Sequence, residues 1–129
     1  MRTGQSVLLI ITGSLLMTLL QGFSKNDSKS IDDIKTTITI SQADVEKGRI
    51  LISKSDCIAC HKEKLKIIGP TYLDVALKYK PTESNIEYLG SKIIKGGSGV
   101  WGQVPMPGHP ALSKGDVEEM VKYILSIKP

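Results

Sequence analysis

The stretch that decides the fold is Cys57-Ile58-Ala59-Cys60-His61, near the middle of a chain of 129 residues. Two cysteines three positions apart, followed at once by a histidine, are the attachment signature of c-type haem. Each thiol can add to one vinyl group of the porphyrin, and the adjacent imidazole is then held beneath the iron as its proximal ligand. The motif therefore predicts one covalently bound haem c, attached through Cys57 and Cys60, with His61 as a ligand of the iron.

Two other interpretations of this motif, a redox dithiol and part of a zinc site, fit the surrounding sequence poorly. A redox CxxC normally follows a strand in a thioredoxin-like βαβ unit, whereas the residues before Cys57 have a helical pattern. A structural zinc ion needs four ligands, which here would have to be Cys57, Cys60, His61 and His109, the only other histidine. The adjacent Cys60 and His61 suit a tetrahedral ion poorly, so haem is the better interpretation.

The composition predicts one small globular domain. The chain is 40% hydrophobic and 5% aromatic, with a formal net charge of +4. Its lysines are spread along the sequence except for a cluster at Lys62, Lys64 and Lys66, and this distribution does not indicate nucleic-acid binding. The cluster is either a solvated face or a docking rim for an acidic redox partner.

The N-terminal segment has the pattern of an export signal. Arg2 precedes an apolar run over residues 7–20, and the sequence then becomes polar. The run is short for a bilayer-spanning helix, which needs about 20 apolar residues. We therefore expect residues 1–24 to be a signal peptide or an N-terminal membrane anchor, residues 25–40 a polar tether, and residues 41–129 the folded domain. The protein would be exported, either periplasmic or anchored to the outer face of the inner membrane.

Four helices are predicted in the folded domain, which makes it all-α. Capping patterns open the first, second and last helices at Ser41, Thr71 and Ser113, each with an aspartate three positions later. Apolar residues recur at helical spacing in the third and last helices. The predicted ranges are 41–54, 71–79, 82–94 and 113–129, and residues 96–112 are left as one long loop.

The long loop holds the candidate for a second iron ligand. Its residues 97–102 match GxGxxG, but no βαβ unit surrounds them, so a dinucleotide site is not indicated. Met106 lies between two prolines that favour extended backbone, and its thioether is a natural ligand for a haem iron. His109 is the main rival, while Met120 fits the apolar period of the last helix. Trp101 is a core residue, a wall of the haem crevice, or both.

Taken in order, these motifs closely resemble the small bacterial class I cytochromes c over residues 41–128. The resemblance implies an all-α fold of about four helices around one haem, with His61 and Met106 as axial ligands. It also implies that the first and last helices cross where Gly48 approaches Tyr123, and that the Pro70 carbonyl accepts a hydrogen bond from the His61 ring. The residues that carry the resemblance are Gly48, Cys57-Ile58-Ala59-Cys60-His61, Gly69-Pro70-Thr71, Val75-Ala76-Leu77-Lys78-Tyr79, the run from Gly96-Gly97 to Trp101, and Val104-Pro105-Met106-Pro107.

One departure from the family pattern is Ile52, where relatives often have an aromatic residue. The function expected is that of a monohaem one-electron carrier in a respiratory or periplasmic electron-transfer chain. Its partners would be redox proteins, with no small-molecule substrate, and the haem would also be needed for a stable fold. The alternative is a haem-based sensor or ligand-binding domain, or an electron-transfer subunit of a larger oxidoreductase.

Overall fold

The computed structural model describes residues 37–129, so the predicted export segment and most of the predicted tether lie outside the described residues. This part of the chain contains four α-helices, as predicted, and none of them is long and apolar enough to cross a membrane. The elements in chain order are α1 (Gln42–Ser53), a 3₁₀ turn (Asp56–Ala59), α2 (Tyr72–Lys78), α3 (Glu83–Lys95), the strands β1 (Gly97–Gly99) and β2 (Gly102–Met106), and α4 (Lys114–Ser126).

The helices begin where their capping residues place them. The Ser41 hydroxyl accepts a hydrogen bond from the Asp44 backbone N–H, and the Asp44 carboxylate accepts one from the Ser41 N–H, both at 3.1 Å. Thr71 and Asp74 make the same reciprocal pair at the start of α2. These bonds satisfy backbone donors that have no partner inside the helix, and they hold the pKa of each aspartate below its ordinary value. The predicted capping boxes at these two positions are confirmed.

The core forms where α1 and α4 cross. A Cβ atom added at Gly48 would lie 2.7 Å from Tyr123 Cβ and would overlap the Glu119 carbonyl oxygen, so only glycine permits this approach. The crossing implied by the resemblance is therefore present. Ile52, on α1, is buried with 4% of its surface exposed, and it packs with Tyr72, Met120 and Tyr123. A second cluster joins α3 to α4 and consists of Ile86, Ile93, Val117, Val121 and Leu125.

The segment predicted as one long loop contains an antiparallel hairpin, so that prediction was wrong for residues 97–106. In the pairing of β1 with β2, Gly97 lies opposite Met106 and Gly99 opposite Gly102. All three of these glycines, and Gly96 before them, have φ between 72° and 132°. Side chains other than glycine rarely adopt that conformation, which explains how so few residues can reverse the chain. The hairpin brings Met106 back beside the end of α3.

The last residues of the predicted tether belong to the domain. The Ile38 N–H donates a hydrogen bond to the Pro81 carbonyl at 2.8 Å, and Thr37 forms a β-bridge with Thr82. Ile38 and Ile40 are half-buried and pack on the cluster between α3 and α4. Their alternation places both side chains on one face of the extended segment, as expected for period-two structure. Residues 37–40, which were predicted as the end of the tether, therefore contact the helical domain.

Candidate cofactor site

An apolar cavity of about 250 Å³ lies between the 3₁₀ turn, the hairpin and the helices. The sequence-predicted site residues meet there, because Cys57, Cys60, His61, Pro70, Trp101 and Met106 all line it. The rest of the lining is mostly aliphatic or aromatic, including Ile52, Ile93 and Val121. A cavity with a few polar donors in an apolar wall is typical of a cofactor site.

The CxxCH segment is held in shape by its own backbone. The N–H groups of Cys60 and His61 both donate to the Cys57 carbonyl, at 3.2 and 2.9 Å, and the Ser55 hydroxyl accepts from the Cys57 N–H. The Cys60 carbonyl in turn accepts from the Gly69 N–H at 3.0 Å. Both thiols are free and half-buried. The turn therefore presents two thiols and one imidazole to the same cavity.

The His61 ring is oriented by a hydrogen bond to backbone. Its Nδ1 lies 2.7 Å from the Pro70 carbonyl oxygen, which is the hydrogen bond implied by the resemblance. Because a carbonyl can only accept, Nδ1 carries the proton, and in the neutral ring the lone pair is then on Nε2. The ring also stacks on Tyr72 with centroids 5.9 Å apart and an interplanar angle of 16°. A Cβ at Gly69 would lie 2.7 Å from Nδ1, so this glycine makes room for the ring.

Of the residues considered as a second ligand, Met106 and Met120 line the cavity, whereas His109 is absent from its lining. Met106 is the last residue of β2 and is half-buried. Met120 is 2% exposed and packs inside the cluster of α1 and α4. The His109 ring instead lies against Asp56, with Nε2 3.1 Å from Oδ1.

Trp101 forms part of the wall of the cavity and is not a core residue. It lies at the turn of the hairpin and is 44% exposed. The Lys78 ammonium lies 5.6 Å from the centroid of the indole, close enough for a cation–π interaction between α2 and the hairpin. Trp101 therefore lines the cavity from an exposed position in the hairpin.

The sequence did not single out Tyr72 as part of the site. The residue is 6% exposed, stacks on His61 and meets Tyr123 edge to face with centroids 6.1 Å apart. Burial raises the pKa of Tyr72, and its hydroxyl has no hydrogen-bond partner among the described residues. The only available signal was its position two residues after Pro70, whose carbonyl orients the His61 ring.

The cluster of Lys62, Lys64 and Lys66 is exposed, and so are the apolar side chains beside it, with Leu65 68% and Ile68 57% exposed. Lys66 and Ile68 also line the cavity. This surface is therefore continuous with the mouth of the candidate site. Its role as a docking rim stays a prediction.

Comparison with known proteins gives a consistent result. A family model described as cytochrome c matches residues 45–128. The chain is 41% identical over 88 residues to cytochrome c-552 of Nitrosomonas europaea, which covers 68% of this chain and 82% of the relative. It is 46% identical over 78 residues to cytochrome c-552 of Hydrogenobacter thermophilus, with 60% and 79% covered. The crystal structure of the wild-type Nitrosomonas europaea protein aligns with a TM-score of 0.58 over 62% of this chain and 99% of that one.

Proposed function

The chain belongs to the cytochrome c family, whose small bacterial members are electron carriers and not enzymes, and we propose that it carries single electrons on one haem c. The haem would occupy the apolar cavity, attached through Cys57 and Cys60. The main support is the hydrogen bond between the His61 ring and the Pro70 carbonyl, because in the neutral ring it places the proton on Nδ1 and leaves the lone pair of Nε2 for a metal. When bound, haem supplies an iron that alternates between the ferric and ferrous states.

The residues around the cavity suit this role. The 3₁₀ turn fixes the two thiols relative to His61, and Pro70, Gly69 and Tyr72 fix the plane of the imidazole. A ligand that is held in place before the electron arrives needs little reorganisation when the charge of the iron changes. The hydrogen bond to Pro70 also makes the imidazole a stronger donor.

Met106 is proposed as the residue that would bind the haem iron together with His61. Its backbone is held by pairing with Gly97, and its flanking prolines restrict the chain on both sides. A thioether is a soft ligand that stabilises ferrous iron, so this ligand set favours a high reduction potential. Met120 lines the same cavity but is packed in the helical core, where its apolar contacts already account for it.

We propose redox proteins as the partners and expect no small-molecule substrate. The exposed lysines and apolar residues at the mouth of the cavity fit an acidic partner with an apolar centre. Export follows from the predicted signal or anchor in residues 1–24, and it is consistent with covalent haem attachment. The proposed location is the periplasm or the outer face of the inner membrane.

The test uses protein matured in a host that attaches haem. Intact mass should show one added haem, and the oxidised protein should show the methionine-to-iron charge-transfer band. Met106→Leu should abolish the band, while Met120→Leu should retain it. The two variants are matched because each removes one sulfur at nearly constant volume. Colourless protein with free thiols would overturn the proposal, and ready binding of carbon monoxide to the reduced wild type would favour a sensor.

A further inference from the structure

A long-range contact that electron transfer does not itself require joins the 3₁₀ turn to the segment after Met106. His109 Nε2 lies 3.1 Å from Asp56 Oδ1, although the residues are 53 positions apart in the sequence. The His109 side chain is 21% exposed and that of Asp56 78% exposed. A carboxylate only accepts, so Nε2 donates the hydrogen bond.

The two partners adjoin the two segments that matter most for the site. Asp56 is the first residue of the 3₁₀ turn and directly precedes Cys57. His109 follows Met106 by three residues, and its backbone N–H donates to the Ile93 carbonyl at 2.9 Å. A Cβ at Gly108 would lie 2.8 Å from the Ile94 carbonyl oxygen, so the chain here is pressed against the end of α3.

The imidazole depends on this single polar contact of its side chain. His109 Nδ1 is buried and has no hydrogen-bond partner among the described residues. If the bond to Asp56 is lost, neither ring nitrogen has a protein partner within residues 37–129. The ring would then have no hydrogen bond to this part of the chain that opposes its turning toward water, and the segment after Met106 would lose one of its restraints.

We propose that the hydrogen bond between His109 and Asp56 is a latch that holds the Met106 segment against the haem-attachment turn. The inference rests on the proposed function, in which Met106 binds the iron. His109 is then a positioning residue and not a ligand. Opening the latch lets Met106 leave the iron more readily, so an external ligand competes better for the sixth position.

The test measures the affinity of imidazole for the oxidised, haem-loaded protein. Asp56→Ala and His109→Ala should each raise it about three-fold, the scale of one largely exposed polar pair. The double variant should bind imidazole no more tightly than either single variant, because both remove the same interaction. His109→Gln, which keeps an amide donor near the position of Nε2, should bind it as the wild type does. Glu46→Gln, which alters the exposed pair with Arg49 on α1, is the control for a remote charge.

The charge-transfer band of the wild type tests the assignment of Met106 separately from the latch. If the band is absent, the assignment of Met106 is wrong and the latch falls with it. If the band is present but neither alanine variant changes the affinity for imidazole, the latch is overturned while the proposed function stands. Additive effects in the double variant would also overturn it. The free energy of unfolding of each variant shows whether the substitution affects only the Met106 segment or destabilises the whole fold.

Discussion

Replacing Gly48 by alanine should destabilise the haem-loaded protein, because α1 and α4 approach each other too closely for a methyl group. The added Cβ would lie 2.7 Å from Tyr123 Cβ and would overlap the Glu119 carbonyl oxygen. Neither atom is the end of a flexible side chain. The strain cannot be relieved by a change of rotamer, so the helices themselves must separate.

The size of the effect follows from two opposing contributions. Overpacking of a well-packed core costs about 1–3 kcal/mol, and a contact against backbone belongs at or above the upper end of that range. Alanine in place of glycine inside a helix contributes about 1 kcal/mol in the other direction. The expected net loss is about 2 kcal/mol, which corresponds to a fall of about 8–16 °C in Tm for a domain of this size.

Two other helical glycines provide matched controls. A Cβ at Gly115 would meet nothing within 4 Å, so Gly115→Ala should leave stability unchanged or raise it by up to about 1 kcal/mol. A Cβ at Gly90 would lie 3.2 Å from Val117 Cγ1, a longer contact and one with a side chain instead of backbone, so this variant should lie between the other two. Thermal and denaturant unfolding of the holoproteins give the order. Gly48→Ala at least as stable as the wild type would refute the reasoning.

Three further predictions concern pH and the cofactor. Hydrogen bonds from Thr71 lower the pKa of Asp74, so the charged form of Asp74 stabilises the folded state. This contribution is fully present above about pH 4 and is lost as the pH falls through the lowered pKa. Thr71→Ala should lower Tm by about 4–8 °C at pH 7 and should weaken the dependence of Tm on acid pH. Burial, and to a lesser extent the hydrogen bond to Glu63, raises the pKa of Tyr123. The free energy of unfolding should therefore fall as the pH rises above about 10. Denaturant unfolding should show a less steep fall for Tyr123→Phe. Protein with both cysteines replaced by alanine should lack cooperative unfolding in circular dichroism, because an empty apolar cavity leaves the core incomplete; a native-like transition would contradict this.

The sequence predicted the helices well because their starts depend on neighbouring residues. Ser41 and Asp44, like Thr71 and Asp74, are three positions apart, and a pattern of that range can be recognised without any tertiary contact. The haem-attachment motif is local in the same way. The approach of Gly48 to Tyr123 spans most of the domain, and it was expected only because the whole ordered set of motifs resembled a known family.

The features that were missed depend on tertiary structure. Strands of three and five residues that contain glycine and proline carry no alternating pattern, and their pairing depends on positive φ at Gly97, Gly99 and Gly102. His109 was considered as an alternative to Met106 for binding the iron. Its hydrogen-bond partner Asp56 lies 53 positions away and has no sequence signal of its own. Such contacts can be identified only once the chain has folded.

The two sides of the site differ in how firmly they are held, and this difference bears on function. His61 is fixed by a short turn, by the Pro70 carbonyl, by the contact with Gly69 and by the stack on Tyr72. Met106 ends a two-stranded hairpin that is mostly exposed, and two-stranded hairpins are marginally stable in isolation. When the site is stressed by heat, denaturant or a competing ligand, the methionine side should therefore yield before the histidine side. An interaction that restrains the segment after Met106 then has more influence on ligand exchange than an equally strong one beside His61.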